Sequence, residues 1–193
     1  MRRTFVSLVM VLAVGALAWG QWTGGFSTYP GGRLLMVYQV TSEGHEPYTY
    51  TLELTPREDG SYLIRTEAVG PGSLDDLAAT PFFFMWSPSI WLANAWWLPY
   101  YYMLFMYGQT IEPNRTYVLP GGLSFVTEGE VTVAGIAAVK GTLTAADNPD
   151  ERVILAISPD PAVPYPVWVR QERKAASGWE LEYEMLLTQY QHG

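Results

Sequence analysis

Residues 81–107 read PFFFMWSPSIWLANAWWLPYYYMLFMY, a stretch with no charged side chain and twelve aromatic ones. Four of the chain's eight tryptophans lie in it. A run this apolar has to be covered by the rest of the chain or presented to something apolar. Its punctuation sets its local structure. Ser87 before Pro88 fits a helix cap followed by proline at the first helical position. Pro99 stops or kinks that helix and can open a second one, which Gly108 closes. The spacing predicts two short helices, 88–98 and 99–107, each about 15 Å long. Both are apolar on all sides, as helices are when enclosed by protein or lipid. One continuous span over 89–107 would reach about 28 Å, nearly enough for a bilayer. It would also put Pro99 at mid-span and separate the flanking strands, so a broken hairpin held against a sheet is the expectation.

The flanks read as strands. Leu34, Met36, Tyr38 and Val40 alternate with more polar neighbours, and Tyr48, Tyr50, Leu52 and Leu54 face away from Thr49, Thr51, Glu53 and Thr55. This period of two marks half-buried strands. Asp59-Gly60 supplies a hairpin turn, and 62–69 returns as a third strand with Arg65 and Glu67 outward. Pro71-Gly72 ends this meander, and Ser73 with Asp76 has the order of a capping box for one short helix. After Gly108, strands are predicted at 114–119, 123–133 and 136–144, the last two bent around Gly135. Residues 145–150 read as a polar loop. The apolar run 152–157 reads as a central strand, and four prolines bar 158–166 from a sheet interior. A last hairpin, 167–172 with 179–190, turns at 175–178. In its second arm Trp179, Leu181, Tyr183 and Met185 face one way, and Glu180, Glu182 and Glu184 the other.

The N-terminus indicates the compartment. Arg2 and Arg3 precede an apolar stretch, 5–17, and Ala16-Leu17-Ala18 or Ala18-Trp19-Gly20 offers a small-x-small cleavage site. That is the pattern of a secretory signal peptide, 1–20, leaving one β-rich domain over 21–193 with a helical insertion at about 73–107. The destination is secreted or periplasmic. The chain has no cysteine, so its stability must come from its core. Residues 21–193 carry nine basic and nineteen acidic side chains, a net charge of −10. That charge argues against a nucleic-acid partner.

No catalytic or metal signature stands out. His45 and His192 have no second ligand at metal spacing, and the aspartates of 147–151 fit a charged turn. Asp75 and Asp76, adjacent on a helix, would diverge by about 100°. The Gly-Gly pairs lack the lysine or helix of a phosphate cradle, and Asn114-Arg115-Thr116 is a bare glycosylation sequon. The expectation is therefore a protein that is not an enzyme and needs no cofactor or metal.

The order Tyr117-Val118-Leu119-Pro120-Gly121-Gly122, Val133-Ala134-Gly135-Ile136, Ile157-Ser158-Pro159-Asp160, then Pro164-Tyr165-Pro166-Val167-Trp168-Val169 and a closing strand resembles uncharacterised secreted β-sheet proteins of bacterial envelopes. Over 115–190 it is also distantly similar to the lipoprotein-carrier half-barrels of LolA and LolB type. That resemblance implies a curved antiparallel sheet holding helices on an apolar concave face, and binding of acyl chains or a lipidated partner. The fold expected is mostly β: a half-barrel of about eight or nine strands on a short apolar helical hairpin. The function expected is a binding module that encloses an apolar small molecule, lipid or lipidated protein. Phe83, Trp86, Trp91, Trp96, Tyr101 and Phe105 would contact the ligand. The alternative is an envelope structural or interaction protein whose aromatic segment docks on a membrane or self-associates.

Overall fold

Leu34, Met36, Tyr38 and Val40 are buried, and the residues between them are half-buried or exposed. The first alternating run is thus a strand with one covered face. The computed structural model describes residues 29–44, 46–71, 101, 103–104 and 111–193. In it nine strands form one open, curved sheet. They are β1 (Leu34–Ser42), β2 (Tyr48–Pro56), β3 (Tyr62–Val69), β4 (Thr116–Leu119), β5 (Leu123–Val133), β6 (Ile136–Ala145), β7 (Asn148–Ile157), β8 (Trp168–Ala175) and β9 (Gly178–His192). Their order is β3-β2-β1-β9-β8-β7-β6-β5-β4, every neighbouring pair antiparallel. The first meander, β1 to β3, joins the second, β4 to β9, through β1 and β9. Two backbone hydrogen bonds between Arg33 and Gly193, 2.6 and 3.1 Å long, extend that seam.

The concave face carries the core. Leu34, Met36, Tyr38 and Val40 meet Met185 and Leu187 of β9, and the layer continues through Val169, Leu155 and Leu143 to Phe125. β7 is interior and apolar as its sequence predicts, but it starts at Asn148, inside the expected loop. Its register with β6 breaks beside Ala145, which accommodates Pro149. The signal segment, the capping-box helix and nearly all of the aromatic run lie outside the described residues. Of the expected helical insertion only Tyr101, Met103 and Leu104 are described, with helical backbone, and no helix stands among the described elements. The helical half of the expectation is therefore not supported; in the described core Tyr101 and Leu104 join residues of the strands and of 158–167. Among the described residues no helix is long and apolar enough to cross a membrane.

The last strand corrects one expectation. Gln171 pairs with Tyr183 but Glu172 pairs with Leu181, so Glu182 is an extra residue in β9. Such a bulge inverts the facing of everything beyond it. Tyr183 and Met185 stay on the concave side, while Leu181 and Trp179 turn to the convex side, where the Arg152 guanidinium lies 4.2 Å from the Trp179 ring centre. Glu182 does not simply face solvent. Its carboxylate accepts from Gln171 Nε2 at 3.1 Å and pairs with Arg173 at 3.1 Å. A second bulge, at Thr188, restores the concave facing of Tyr190, and the Thr188 hydroxyl donates to the Val37 carbonyl at 3.0 Å.

The turn between β5 and β6 is the expected bend at Gly135. Val133 pairs with Ile136, and the two residues between them, Ala134 and Gly135, have φ of +49° and +80°. Two positive φ values in a two-residue hairpin suit the strand twist, but at the first position alanine sets its Cβ against the backbone. Ala134→Asn is expected to raise stability by about 0.5–1 kcal/mol. The check is a higher urea midpoint with an unchanged slope.

Candidate interaction surface

Between β7 and β8 the chain crosses the concave side as a proline-rich strap, 158–167. Its prolines cannot donate to a ladder, and its carbonyls are taken up by tyrosines instead. The hydroxyls of Tyr190, Tyr101 and Tyr38 donate to the carbonyls of Ala162, Pro164 and Pro166 at 2.9, 3.2 and 3.1 Å. Tyr38 of β1 and Tyr190 of β9 thus fix the strap over these two strands, and Tyr101 adds a third bond. Asp160 closes its own turn, accepting from the Ala162 amide at 2.9 Å. Burial raises the Tyr38 and Tyr183 hydroxyls well above their ordinary range and pushes Tyr48 up to about 12, with neighbouring tyrosines adding to each. These tyrosines are therefore neutral at any physiological pH.

Of the six residues expected to contact a ligand, five (Phe83, Trp86, Trp91, Trp96 and Phe105) lie outside the described residues. The sixth, Tyr101, is 1% exposed and belongs to the core beside Leu104, with its hydroxyl on the strap.

The convex face is charged, and its central charges are paired. Glu172, whose side chain is only 6% exposed, accepts from Arg152 Nε and Arg170 Nε at 2.7 Å each. Trp168 Nε1 donates to Glu184 at 3.0 Å, and Lys140 pairs with Glu128 at 2.9 Å. In sequence Glu172 reads as an ordinary polar strand residue, because its burial depends on Arg152 across on β7 as well as on Arg170. Among the described residues no three potential metal ligands converge. His192 lies edge-on to Tyr29 at 5.7 Å, with Nε2 at 2.8 Å from the Gly31 carbonyl.

What remains unmatched is the β3 end of the sheet. Every residue of β3 is exposed, on both faces. Leu63, Ile64 and Val69 are 58%, 64% and 59% exposed, and Tyr62 is partly so. Ile64 lies on the same face as Leu54, its partner on β2, which is buried, so the core layer stops one strand short of the edge. The opposite edge, β4, has four residues and one large exposed apolar side chain, Val118. β3 has no proline, lysine or bulge and is not short; its charges, Arg65 and Glu67, both lie on the convex face and pair with each other. An isolated exposed leucine needs no explanation, but a doubly exposed apolar edge strand is a template for pairing. In sequence it read as an ordinary third strand, because its exposure depends on its place in the sheet order.

No protein-family model and no curated protein matches the sequence. In structure the chain is similar to one in the Pseudomonas aeruginosa MucA/MucB complex, at 16% identity and a TM-score of 0.52, over 88% of this chain and 54% of that one. MucB in complex with MucA(peri) gives 16% identity and a TM-score of 0.46 over 89% and 52% of the two chains, and MucB alone 15% and 0.42 over 92% and 59%. The chain thus spans little more than half of the solved chains that it resembles. A likeness to the lipoprotein carriers is not shown by these matches, and at this identity the likeness to MucB is one of fold.

Proposed function

We propose that the protein is an extracytoplasmic, non-enzymatic interaction module whose docking surface is the β3 end of its open sheet. The observation that carries this reading is the exposure of β3 on both faces, with Leu63, Ile64 and Val69 in water. Burying such side chains against a partner yields about 25 cal/mol per Å² before the costs of association. Two further features support it. The N-terminal pattern of Arg2, Arg3 and an apolar stretch is that of a secreted chain, and the chain of similar fold in the Pseudomonas aeruginosa MucA/MucB structure is in complex with another protein. The test is a photo-crosslinking side chain placed at position 64 in cells that make the protein, with position 189, exposed on the convex face of an interior strand, as reference. Adducts with a polypeptide at 64 and none at 189 are expected; absence of adducts at 64 would rule the reading out.

A second reading, in which an apolar ligand or acyl chain is held against the concave face by Phe83, Trp86, Trp91, Trp96, Tyr101 and Phe105, is favoured by one observation. Tyr101 and Leu104 are buried in the concave-face core, so part of the aromatic run packs on that side. Saturable uptake of a fluorescent fatty acid by the purified protein is its distinguishing measurement.

A further inference from the structure

We propose that the partner of β3 is β3 of a second copy, paired antiparallel about a two-fold axis through Thr66. The proposal rests on the reading of β3 as the docking surface and deepens it.

The backbone comes first. The β2–β3 hairpin is closed by a bond from the Arg57 amide to the Ser61 carbonyl, 2.9 Å. Antiparallel pairs alternate between bonded and non-bonded, so Leu63, Arg65, Glu67 and Val69 bond to β2. Tyr62, Ile64, Thr66 and Ala68 therefore turn their amides and carbonyls away from β2, toward the side where no described strand pairs with them. A symmetric strand pair must match bonded residues with bonded ones. An axis through Thr66 does so: Thr66 meets Thr66, and Ile64 meets Ala68 of the second copy.

The side chains of β3 are complementary in that same register. Reading outward from Thr66, Arg65 faces Glu67 of the second copy, Ile64 faces Ala68, and Leu63 faces Val69, each twice by symmetry. Opposite charges meet on the convex face, where Arg65 and Glu67 already pair within one chain at 2.7 Å, and apolar groups meet on both faces. Shifted axes fail. Through Arg65 or Glu67 they set like charges opposite each other; through Ile64 or Ala68 they set a charge opposite Leu63 or Val69. Directly opposed like charges oppose pairing, and opposed unlike charges favour it. An isologous contact of this kind closes on itself and makes one continuous sheet from two nine-stranded ones. It also covers both exposed β3 edges.

Sedimentation equilibrium of the purified chain over a concentration series at physiological salt tests this, beside four variants. The wild type is expected to dimerise. Thr66→Pro removes an amide that points away from β2, so it is expected to leave the melting temperature near wild type and abolish the dimer. Arg65→Glu and Glu67→Arg are each expected to weaken self-association about tenfold or more, because both make the register like-charged. Mixed in equal amounts, these two single variants are expected to form a heterodimer, since every opposition is again between unlike charges. The double variant carrying both changes is expected to dimerise as the wild type does. A monomeric wild type, a dimeric Thr66→Pro, or a mixture with no heterodimer would overturn the proposal. If the wild type is monomeric while position 64 still crosslinks to a different polypeptide, self-pairing fails and the docking surface stands. If position 64 crosslinks to nothing, both fail.

Discussion

Gly141→Ala is expected to destabilise the protein by about 2–3 kcal/mol, although it adds a single methyl group to a strand. Gly141 sits on the concave face of β6, opposite Thr127, and the fully buried Phe125 ring from the neighbouring strand lies across it. A Cβ at Gly141 would come within 2.7 and 2.8 Å of two Phe125 ring carbons and 2.7 Å of the Val126 carbonyl oxygen. The oxygen is backbone and the ring is enclosed by Leu143 and the rest of the core, so neither neighbour can give way cheaply. Strand propensity alone predicts the opposite sign, because alanine orders a strand at less entropic cost than glycine. Gly129→Ala separates the two effects. Position 129 lies on β5, next to the same hairpin, and a Cβ there would meet nothing within 4 Å. It is expected to be neutral or to stabilise by up to about 0.5 kcal/mol. In a domain of this size the Gly141 change corresponds to a melting temperature lower by about 5–10 °C. Equal shifts for both glycine variants would mean that the Phe125 ring does not lie across Gly141.

These two glycines show where sequence reasoning stops. Both sit in runs that read as strands, and both runs are strands, since period-two alternation and turn residues such as Asp59-Gly60 are local signals. That one glycine holds space for an aromatic ring and the other holds none follows from which strand lies beside it. The same limit applies to sheet order. Nothing local says that β1 pairs with β9, so nothing local says that β3 is an edge. Bulges are harder still. Glu180, Glu182 and Glu184 alternate in a pattern that suits a straight strand with one solvent face. The extra residue at Glu182 becomes visible only through the register of β8, and it moves Trp179 and Leu181 to the other side. The candidate surface was illegible for the same reason. Leu63 and Ile64 look like core residues until the neighbour that would cover them is missing. The aromatic run posed the reverse problem: its composition demands burial without naming the surface that supplies it. Tyr101 gives one answer in the described residues, a side chain in the core with its hydroxyl on a proline carbonyl.

Glu172→Gln is expected to cost about 2 kcal/mol at neutral pH and almost nothing in acid. The carboxylate is enclosed, with Arg152 bonded to one oxygen and Arg170 to the other. Burial pushes its proton affinity up, but the hydrogen bonds from Arg170 and Arg152 and their charges outweigh burial and hold the group below the ordinary glutamate range. Glutamine keeps the shape, removes the charge, and leaves two guanidiniums facing an amide that can accept from them on one side only. Breaking a fully buried pair would cost about 3–5 kcal/mol. The arginine side chains here are about a third exposed, and Arg170 keeps Glu184 at 3.5 Å, which together reduce the figure. The pH dependence fixes the origin. A group whose folded-state value is lowered contributes stability above its unfolded value and loses it as pH falls through the folded one. The difference between wild type and Glu172→Gln should therefore be fully present above about pH 5.5 and shrink steadily below about pH 4. Both proteins lose stability in acid as other paired carboxylates protonate, but the wild type loses more. Denaturant midpoints of the two, measured across that range, are the check. A gap that stays constant down to about pH 3 would assign the loss to packing rather than to the ion pairs.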